Sequence, residues 1–253
     1  MRYTVCGAFF LLLASCSSGN SGKQPDSQYE DAMETGRSVF DMGHPDQAEM
    51  QYRAAMKRAL LRADPQQIHD AGFNLATSLV REKKPAQAIQ EVDKTLATLS
   101  LYNYNNNLDF YLIKAAAAAQ QKNWVMAEGF SLKALKSSDG STHDQAAYLA
   151  GISADALGDR NLLAQMKEAL SPAKGKTTIS LDYQELSARL DVKDHHYSQA
   201  LTQAMQLVQE RRDALDYDGM RNALLIGAYA AEGMGNMQEA ANLRQQENLS
   251  AQK

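Results

Sequence analysis

Small and apolar residues recur along the chain in a pattern that predicts pairs of amphipathic helices. In residues 43–60, a turn is followed by a segment in which Ala48, Tyr52 and Ala55 share one face at helical spacing. The same design recurs five more times. The small residue near the start of each second helix is Ala48, Ala88, Ala127, Ala164, Ala200 or Ala240. These residues lie 36 to 40 positions apart, which predicts a helical repeat protein.

A second small residue lies twelve positions before five of these six alanines. These upstream residues are Gly36, Ala76, Ala115, Ala188 and Ala228, and in the fourth unit the position is Ile152, beside Gly151. Twelve residues cover the end of one helix, a short turn and the start of the next helix. We therefore expect each unit to fold back as an antiparallel helix pair, with the small residues allowing close approach.

The predicted hairpins are separated by polar or turn-forming segments. Their ranges are 29–64, 69–100, 108–137, a fourth beginning near Thr142, 181–213 and 217–249. Thr142 and Gln145 have the spacing of a capping box, which predicts that the fourth hairpin begins there. Residues 171–180 form the longest polar interruption, and they predict a division into four hairpins and two.

This arrangement resembles the tetratricopeptide repeat (TPR) family. Counting from Tyr29, the family's small, small, aromatic and small signature positions are occupied by Gly36, Ala48, Tyr52 and Ala55. Matches in the second and sixth units are Leu75, Ala76, Ala88, Val92, Gly227, Ala228 and Ala240. The resemblance covers residues 29–249 and implies an all-α solenoid of about six antiparallel helix hairpins. The period exceeds the family's usual ~34 residues, so a related class of helical solenoid is the alternative.

Residues 1–15 have the pattern of a bacterial lipoprotein signal peptide. Arg2 precedes an apolar run of about ten residues, which is too short to cross a bilayer. Residues 13–16, Leu-Ala-Ser-Cys, resemble a lipobox, which implies cleavage before Cys16 and acylation of that cysteine with chains such as palmitate. An ordinary signal peptide or a buried helix is the alternative. Ser17 after the cysteine implies the outer membrane, and residues 16–28 predict a flexible tether to a periplasmic domain.

Composition and charge argue against several classes of function. The formal net charge is −4 and no block of five like charges occurs, which argues against a nucleic-acid-binding surface. Both cysteines, Cys6 and Cys16, lie before the repeats, so no disulfide framework is predicted there. We find no converging acid, base and nucleophile, and we predict no enzymatic activity, cofactor or small-molecule substrate. His195 and His196 are predicted to form a turn. Adjacent side chains on a helix would diverge, and no third ligand is suitably spaced, so no metal site is predicted.

The resemblance implies that partners bind a concave face lined by the first helix of each pair. In the family, positions two, five, nine and twelve of each repeat unit point to this face. The predicted partner-binding residues at such positions are Arg37, Phe40, Phe73, Thr77, Leu112, Arg189 and Tyr229. Such a face, apolar in its middle with scattered charge, suits an amphipathic helix or an extended segment. Packing within the solenoid is the alternative for each residue. The Lys and Asn of chaperone-tail binders are absent at positions five and nine, so that activity is not predicted.

Residues 101–107 combine tyrosine with four asparagines. Tyr102 and Tyr104 are candidate loop contacts, because Tyr and Asn together are adaptable recognition chemistry. A solvated connector with turn-forming Asn is the alternative.

Together these patterns predict a lipid-anchored protein of the outer membrane, facing the periplasm. The expected role is that of a scaffold that binds another envelope protein, unidentified from sequence, during pilus or secretion-system assembly. This expectation rests on similarity of size and architecture. The alternatives are an adaptor for cell-wall hydrolases or for outer-membrane protein insertion, and a self-associating structural lipoprotein.

Overall fold

The computed structural model describes residues 25–171 and 180–251, and in these ranges the chain forms twelve α-helices. The helices are α1 (Ser27–Asp41), α2 (Pro45–Arg62), α3 (Pro65–Arg81), α4 (Pro85–Ser100), α5 (Leu108–Gln120), α6 (Trp124–Ala134), α7 (Gly140–Leu157), α8 (Arg160–Ala169), α9 (Leu181–Lys193), α10 (Tyr197–Asp213), α11 (Tyr217–Gly233) and α12 (Met237–Ser250). The predicted all-α class and the six hairpins are confirmed. The predicted signal peptide, Cys16 and most of the predicted tether lie outside the described residues.

Two helices begin earlier than predicted, because an aspartate side chain caps the N-terminus of each. The third helix begins at Pro65 rather than at residue 69, since the Asp64 carboxylate accepts the backbone N–H of Gln67 at 3.3 Å. The predicted capping box of Thr142 and Gln145 is wrong. Asp139 accepts the Thr142 N–H at 2.8 Å, so α7 begins at Gly140, one turn earlier than a Thr142 cap allows.

The described residues form two compact units, 25–149 and 150–251, which divide within α7. The predicted division at residues 171–180 is therefore wrong. Helices α8 and α9, which flank that polar segment, pack against each other in one unit. Arg160 and Asp194 reinforce this contact, because the guanidinium binds the carboxylate through both oxygens at 2.5 and 2.7 Å.

The turn within each hairpin has the same geometry in all six units. One residue has a positive φ in each turn, and these residues are Gly43, Lys83, Lys122, Gly158, His195 and Gly235. The next residue then donates its N–H to the carbonyl five positions earlier, as in the 2.9 Å bond from His44 to Val39. Glycine reaches a positive φ without steric cost, which explains its place in half of these turns.

The repeated turn corrects the alignment of the fourth unit. In the other five units the small residue lies five positions after the positive-φ residue. Counting from Gly158 gives Leu163, which is fully buried, whereas Ala164 is half-buried. Twelve positions earlier lies Gly151, whose absent Cβ would be 2.5 Å from the Leu186 side chain. The aligned residues Ile152 and Ala164 are therefore wrong by one position, because Gly151 makes the close approach.

The remaining small residues make the predicted close contacts. Ala48, Ala88, Ala127 and Ala200 are fully buried, and Ala240 is 1% exposed. In the first unit, a Cβ on Gly36 would lie 2.6 Å from the Tyr52 ring. Small residues at these positions thus set the distance between paired helices.

Replacing Ala127 with leucine is expected to lower the free energy of unfolding by about 1–3 kcal/mol, because the added atoms have no space in the α5–α6 contact. Val125→Leu in the same helix is the control, since Val125 is 68% exposed. Urea denaturation of both variants measures the difference. Equal stability of the two variants would contradict the assigned packing.

Candidate partner-binding surface

The first helices of successive hairpins pack side by side within each unit. In residues 25–149, α3 contacts α5, and in residues 150–251, α9 contacts α11. The predicted partner-binding residues all lie on these first helices and on α1. Each unit has its own first-helix face, and the two are described separately. The predicted residues on them are Arg37, Phe40, Phe73, Thr77 and Leu112 in residues 25–149, and Arg189 and Tyr229 in residues 150–251.

The first-helix face of residues 25–149 combines accessible and buried side chains. Arg37 and Phe40 on α1 are half-buried, and the guanidinium of Arg81 lies over the Phe40 ring at 5.9 Å. By contrast, Leu112 is 2% exposed and Thr77 is 5% exposed. Leu112 and Thr77 therefore pack inside the unit, and contact between them and a partner requires neighbouring side chains to move.

Phe73 is half-buried at the edge of an aromatic cluster between α3 and α5. Its ring meets the edge of Phe110 with centroids 6.1 Å apart, and it stacks on His69 at 6.5 Å. The His69 ring also meets Phe110 at 5.0 Å. Edge-to-face contacts of this kind fix ring orientation. The cluster therefore holds Phe73 in a defined position on the first-helix face.

His69 carries a nearly buried charge at the centre of this cluster. Its Nδ1 lies 3.0 Å from Asp70, and its Nε2 lies 3.0 Å from Asp109 on α5, so the ring bridges two carboxylates. Burial lowers the pKa of His69, but the hydrogen bonds to Asp109 and Asp70 outweigh burial and raise this pKa to about 9. The imidazolium is thus the stable form at neutral pH, and it joins two consecutive hairpins.

The two tyrosines of the 101–107 segment have different environments. Tyr104 is half-buried: its hydroxyl donates to the side chain of Gln66 at 2.8 Å, and its ring lies 5.4 Å from His69. Tyr102 is 39% exposed and its neighbour Leu101 is 80% exposed. Tyr104 therefore helps to close the α4–α5 loop onto α3, whereas Tyr102 remains available for contact.

In residues 150–251, Arg189 belongs to a charged network rather than standing free. Its guanidinium donates to Asp155 on α7 and to Glu185 on α9, each at 2.8 Å. Glu185 is fully buried, and its second oxygen accepts from Arg211 on α10 at 3.2 Å. Arg211 also binds Asp182 at 2.7 Å and Asp216 at 2.6 Å, and Lys193 binds Asp155 at 3.1 Å. Arg189 thus joins α9 to α7, and the shared carboxylate of Glu185 extends the network to α10.

Tyr229 on α11 is 54% exposed, which makes it the most accessible of the residues predicted to bind a partner on the first helices. The Arg244 guanidinium from α12 lies over its ring at 5.5 Å. Arg244 in turn donates to Glu232 at 2.9 Å, and this hydrogen bond lowers the pKa of the Glu232 carboxyl. The surface around Tyr229 therefore offers an aromatic ring flanked by one cation and one anion.

Sequence reasoning missed the roles of His69 and Arg211. His69 occupies position one of its unit, next to an aspartate, but its second carboxylate comes from Asp109, 40 residues later. The burial of Glu185 likewise depends on Arg211 on α10, 26 residues later. No local pattern identifies such long-range pairs.

Two further structural facts concern the described residues. Within ranges 25–171 and 180–251, no cluster of three or more His, Cys, Asp or Glu side chains has the geometry to bind a metal ion. In the same ranges, none of the helices combines the length and apolar character that a membrane crossing requires.

Comparison with known proteins supports the fold. No protein-family model and no curated protein matches the chain. A crystal structure of a tetratricopeptide repeat protein from Parabacteroides merdae is similar, with a TM-score of 0.56 and 17% identity over 89% of this chain and 94% of that one. A structure from a functional characterization of Pseudomonas aeruginosa pilF has a TM-score of 0.55 and 21% identity, covering 87% and 90% of the two chains. The TPR-like solenoid fold is thereby confirmed.

Proposed function

We propose that this chain is a protein-binding scaffold of the bacterial envelope, anchored to the outer membrane through Cys16 and facing the periplasm. The observation that carries the proposal is the set of accessible aromatic side chains on the first-helix face. Tyr229 is 54% exposed, and Phe40 and Phe73 are half-buried yet fixed by neighbouring charged or aromatic side chains. Pre-positioned aromatic rings are typical anchors of protein interfaces.

The chemistry of the face defines the kind of segment it binds. Phe40 lies beside Arg81, and Tyr229 lies beside Arg244 and Glu232, so each aromatic ring has polar neighbours. A partner segment with an apolar stripe and flanking charges of both signs fits this arrangement, as an amphipathic helix does. We assign the partner to pilus or secretion-system assembly, on the size and architecture of the chain.

A crosslinking pull-down of the full-length lipoprotein from cells tests the proposal. We expect one envelope protein to be recovered with the wild type and lost with a Phe73→Glu, Tyr229→Glu double variant, because the new carboxylates cannot be desolvated against an apolar stripe. Val125→Glu, Met237→Glu is the control, since both residues are exposed on second helices. Recovery of the same protein with the double variant would contradict the proposed surface. Recovery of a cell-wall hydrolase, of insertion machinery or of the chain itself would instead assign one of the alternative roles.

Replacing Cys16 with serine tests the anchor. Because serine cannot form the thioether that carries the lipid, the variant is expected to remain an uncleaved precursor without incorporated palmitate. Metabolic labelling with radioactive palmitate, followed by membrane fractionation, measures both properties. Normal labelling of the Cys16→Ser variant would rule out the lipobox assignment.

A further inference from the structure

The ends of five helices in residues 25–149 form one continuous edge. The starts of α1, α3 and α5 and the ends of α2 and α4 meet there, because paired helices are antiparallel. Asp26 before α1 binds Arg58 near the end of α2 at 2.7 Å, and Tyr104 before α5 binds Gln66 at the start of α3 at 2.8 Å. We call this the N-terminal edge, since the described chain enters it at Pro25.

The N-terminal edge exposes large apolar side chains. Leu60 and Leu61, in the last turn of α2, are 47% and 71% exposed. Leu101 and Tyr102, directly after α4, are 80% and 39% exposed. Leu60 and Leu61 also line a groove of about 410 Å³ between α2 and α4. Single exposed leucines are ordinary on protein surfaces, but four large apolar residues at one edge indicate a contact surface.

Two arginines at this edge are paired within the protein. Arg58 and Arg62 both approach the nearly buried carboxylate of Asp26, at 2.7 and 3.7 Å. These two cations are therefore engaged within the protein rather than directed at an outside anion. An occupant of the edge must gain mainly from apolar contact, with Tyr102 supplying a ring that suits a boundary between water and an apolar phase.

The position of the tether identifies that occupant. Cys16 lies nine residues before Pro25, where the chain enters the N-terminal edge. A Gly- and Ser-rich segment of that length has an r.m.s. reach of about 16 Å and a fully extended reach of about 32 Å. A lipid attached at Cys16 therefore keeps this edge close to the bilayer. The effective concentration of the edge at the membrane surface is then high. Leucine and tyrosine side chains gain free energy by entering the bilayer interface.

We propose that the N-terminal edge docks on the bilayer surface, with Leu61, Leu101 and Tyr102 entering the interfacial layer. This inference rests on the proposed anchoring at Cys16. Docking would hold the intra-hairpin turns of residues 25–149 about 24 Å from the membrane, the length of a 16-residue helix. Residues 25–149 would then present their first-helix face in a fixed orientation relative to the membrane.

Fluorescence quenching by brominated lipid tests the docking. The mature chain from Cys16 is coupled through the Cys16 thiol to a maleimide lipid in zwitterionic vesicles, so that the result does not depend on acylation in cells. The reporter variant carries Leu101→Trp with Trp124→Phe. The control carries Val125→Trp with the same Trp124→Phe, because Val125 is 68% exposed at the opposite end of its hairpin. We expect quenching at residue 101 to exceed quenching at residue 125 about twofold or more. Equal quenching at the two positions would overturn the proposal.

A second substitution separates docking from mere proximity. Adding Leu61→Ser to the residue-101 reporter is expected to reduce its quenching to the residue-125 level, whereas Met42→Ser, at the opposite edge, is expected to have no effect. Unchanged quenching with Leu61→Ser, or quenching only when anionic phosphatidylglycerol is present, would overturn docking through apolar contact. Failure of palmitate labelling at Cys16 in cells would instead remove the proposed anchor, whatever the vesicle result.

Discussion

Replacing Arg211 with alanine is expected to lower the free energy of unfolding of residues 150–251 by about 3–5 kcal/mol. The Arg211 side chain binds Glu185, Asp182 and Asp216, and Glu185 is fully buried. Without the guanidinium, three carboxylates lie close together with one cation fewer to compensate them. Arg189 still binds Glu185 at 2.8 Å, but it also binds Asp155 and cannot reach across to replace Arg211.

Arg212→Ala is the matched control for this prediction. Arg212 is the next residue of α10 and is exposed. Its replacement by alanine changes the net charge and the helix propensity as much as Arg211→Ala does, but leaves the ion pairs of Arg211 intact. Amide hydrogen exchange of α10 and α11 measures the local loss of stability in both variants. Similar exchange rates in Arg211→Ala and Arg212→Ala would show that the buried network does not stabilise this unit.

The stability of residues 25–149 is expected to fall as pH rises from about 6.5 through 9. The pKa of His69 is raised from 6.5 to about 9 in the folded chain, by hydrogen bonds to Asp109 and Asp70 that outweigh the effect of burial. A raised pKa means that the folded state binds the proton more tightly than the unfolded state. The stabilisation is therefore complete below the unfolded pKa and is lost as pH rises through the folded pKa. Its size is about 3 kcal/mol at most, from 1.36 kcal/mol per pKa unit.

A His69→Gln variant isolates this effect, because glutamine keeps hydrogen-bonding capacity but does not titrate. Melting temperatures of the wild type and the variant are compared at pH 6 and pH 9.5. Between pH 6 and pH 9.5, the melting temperature of the wild type is expected to fall several degrees more than that of the variant. One kcal/mol of stability corresponds to about 2–4 °C in melting temperature for a chain of this size. If both proteins lose stability equally over this range, the imidazolium does not hold the two hairpins together.

The features that sequence could predict are those set by local spacing. The six hairpin turns and, outside the fourth unit, the buried alanines are predicted correctly, because each depends on residues that lie within one repeat of each other. There, the small residue Ala164 was aligned in place of Leu163, which is the fully buried residue, and the space that Gly151 leaves is filled by Leu186 on α9. A side chain's volume can compensate for another's across a helix pair, and a residue-by-residue alignment does not detect this.

The features that sequence could not predict depend on which helices become neighbours. Leu112 and Tyr229 occupy positions five and nine of their units, which both predict exposure on the first-helix face, yet one is 2% exposed and the other 54%. Leu112 lies on α5, which packs against α3, α4 and α6, and Tyr229 lies on α11, which packs against the equivalent helices α9, α10 and α12. Likewise, the charge of His69 depends on Asp109, which lies on a different hairpin. Repeat position indicates the face of a helix but not how fully neighbouring helices cover it.

Site-specific photo-crosslinking tests the central claim, that the first-helix face binds an envelope protein, most directly. A benzophenone amino acid is placed in living cells at Phe40 or at Tyr229, and at Val125 or Met237 as controls exposed on second helices. Residues 40 and 229 are expected to crosslink to the same envelope protein, while residues 125 and 237 are not. Crosslinks to that protein from the controls alone, or none from residues 40 and 229, would contradict the account.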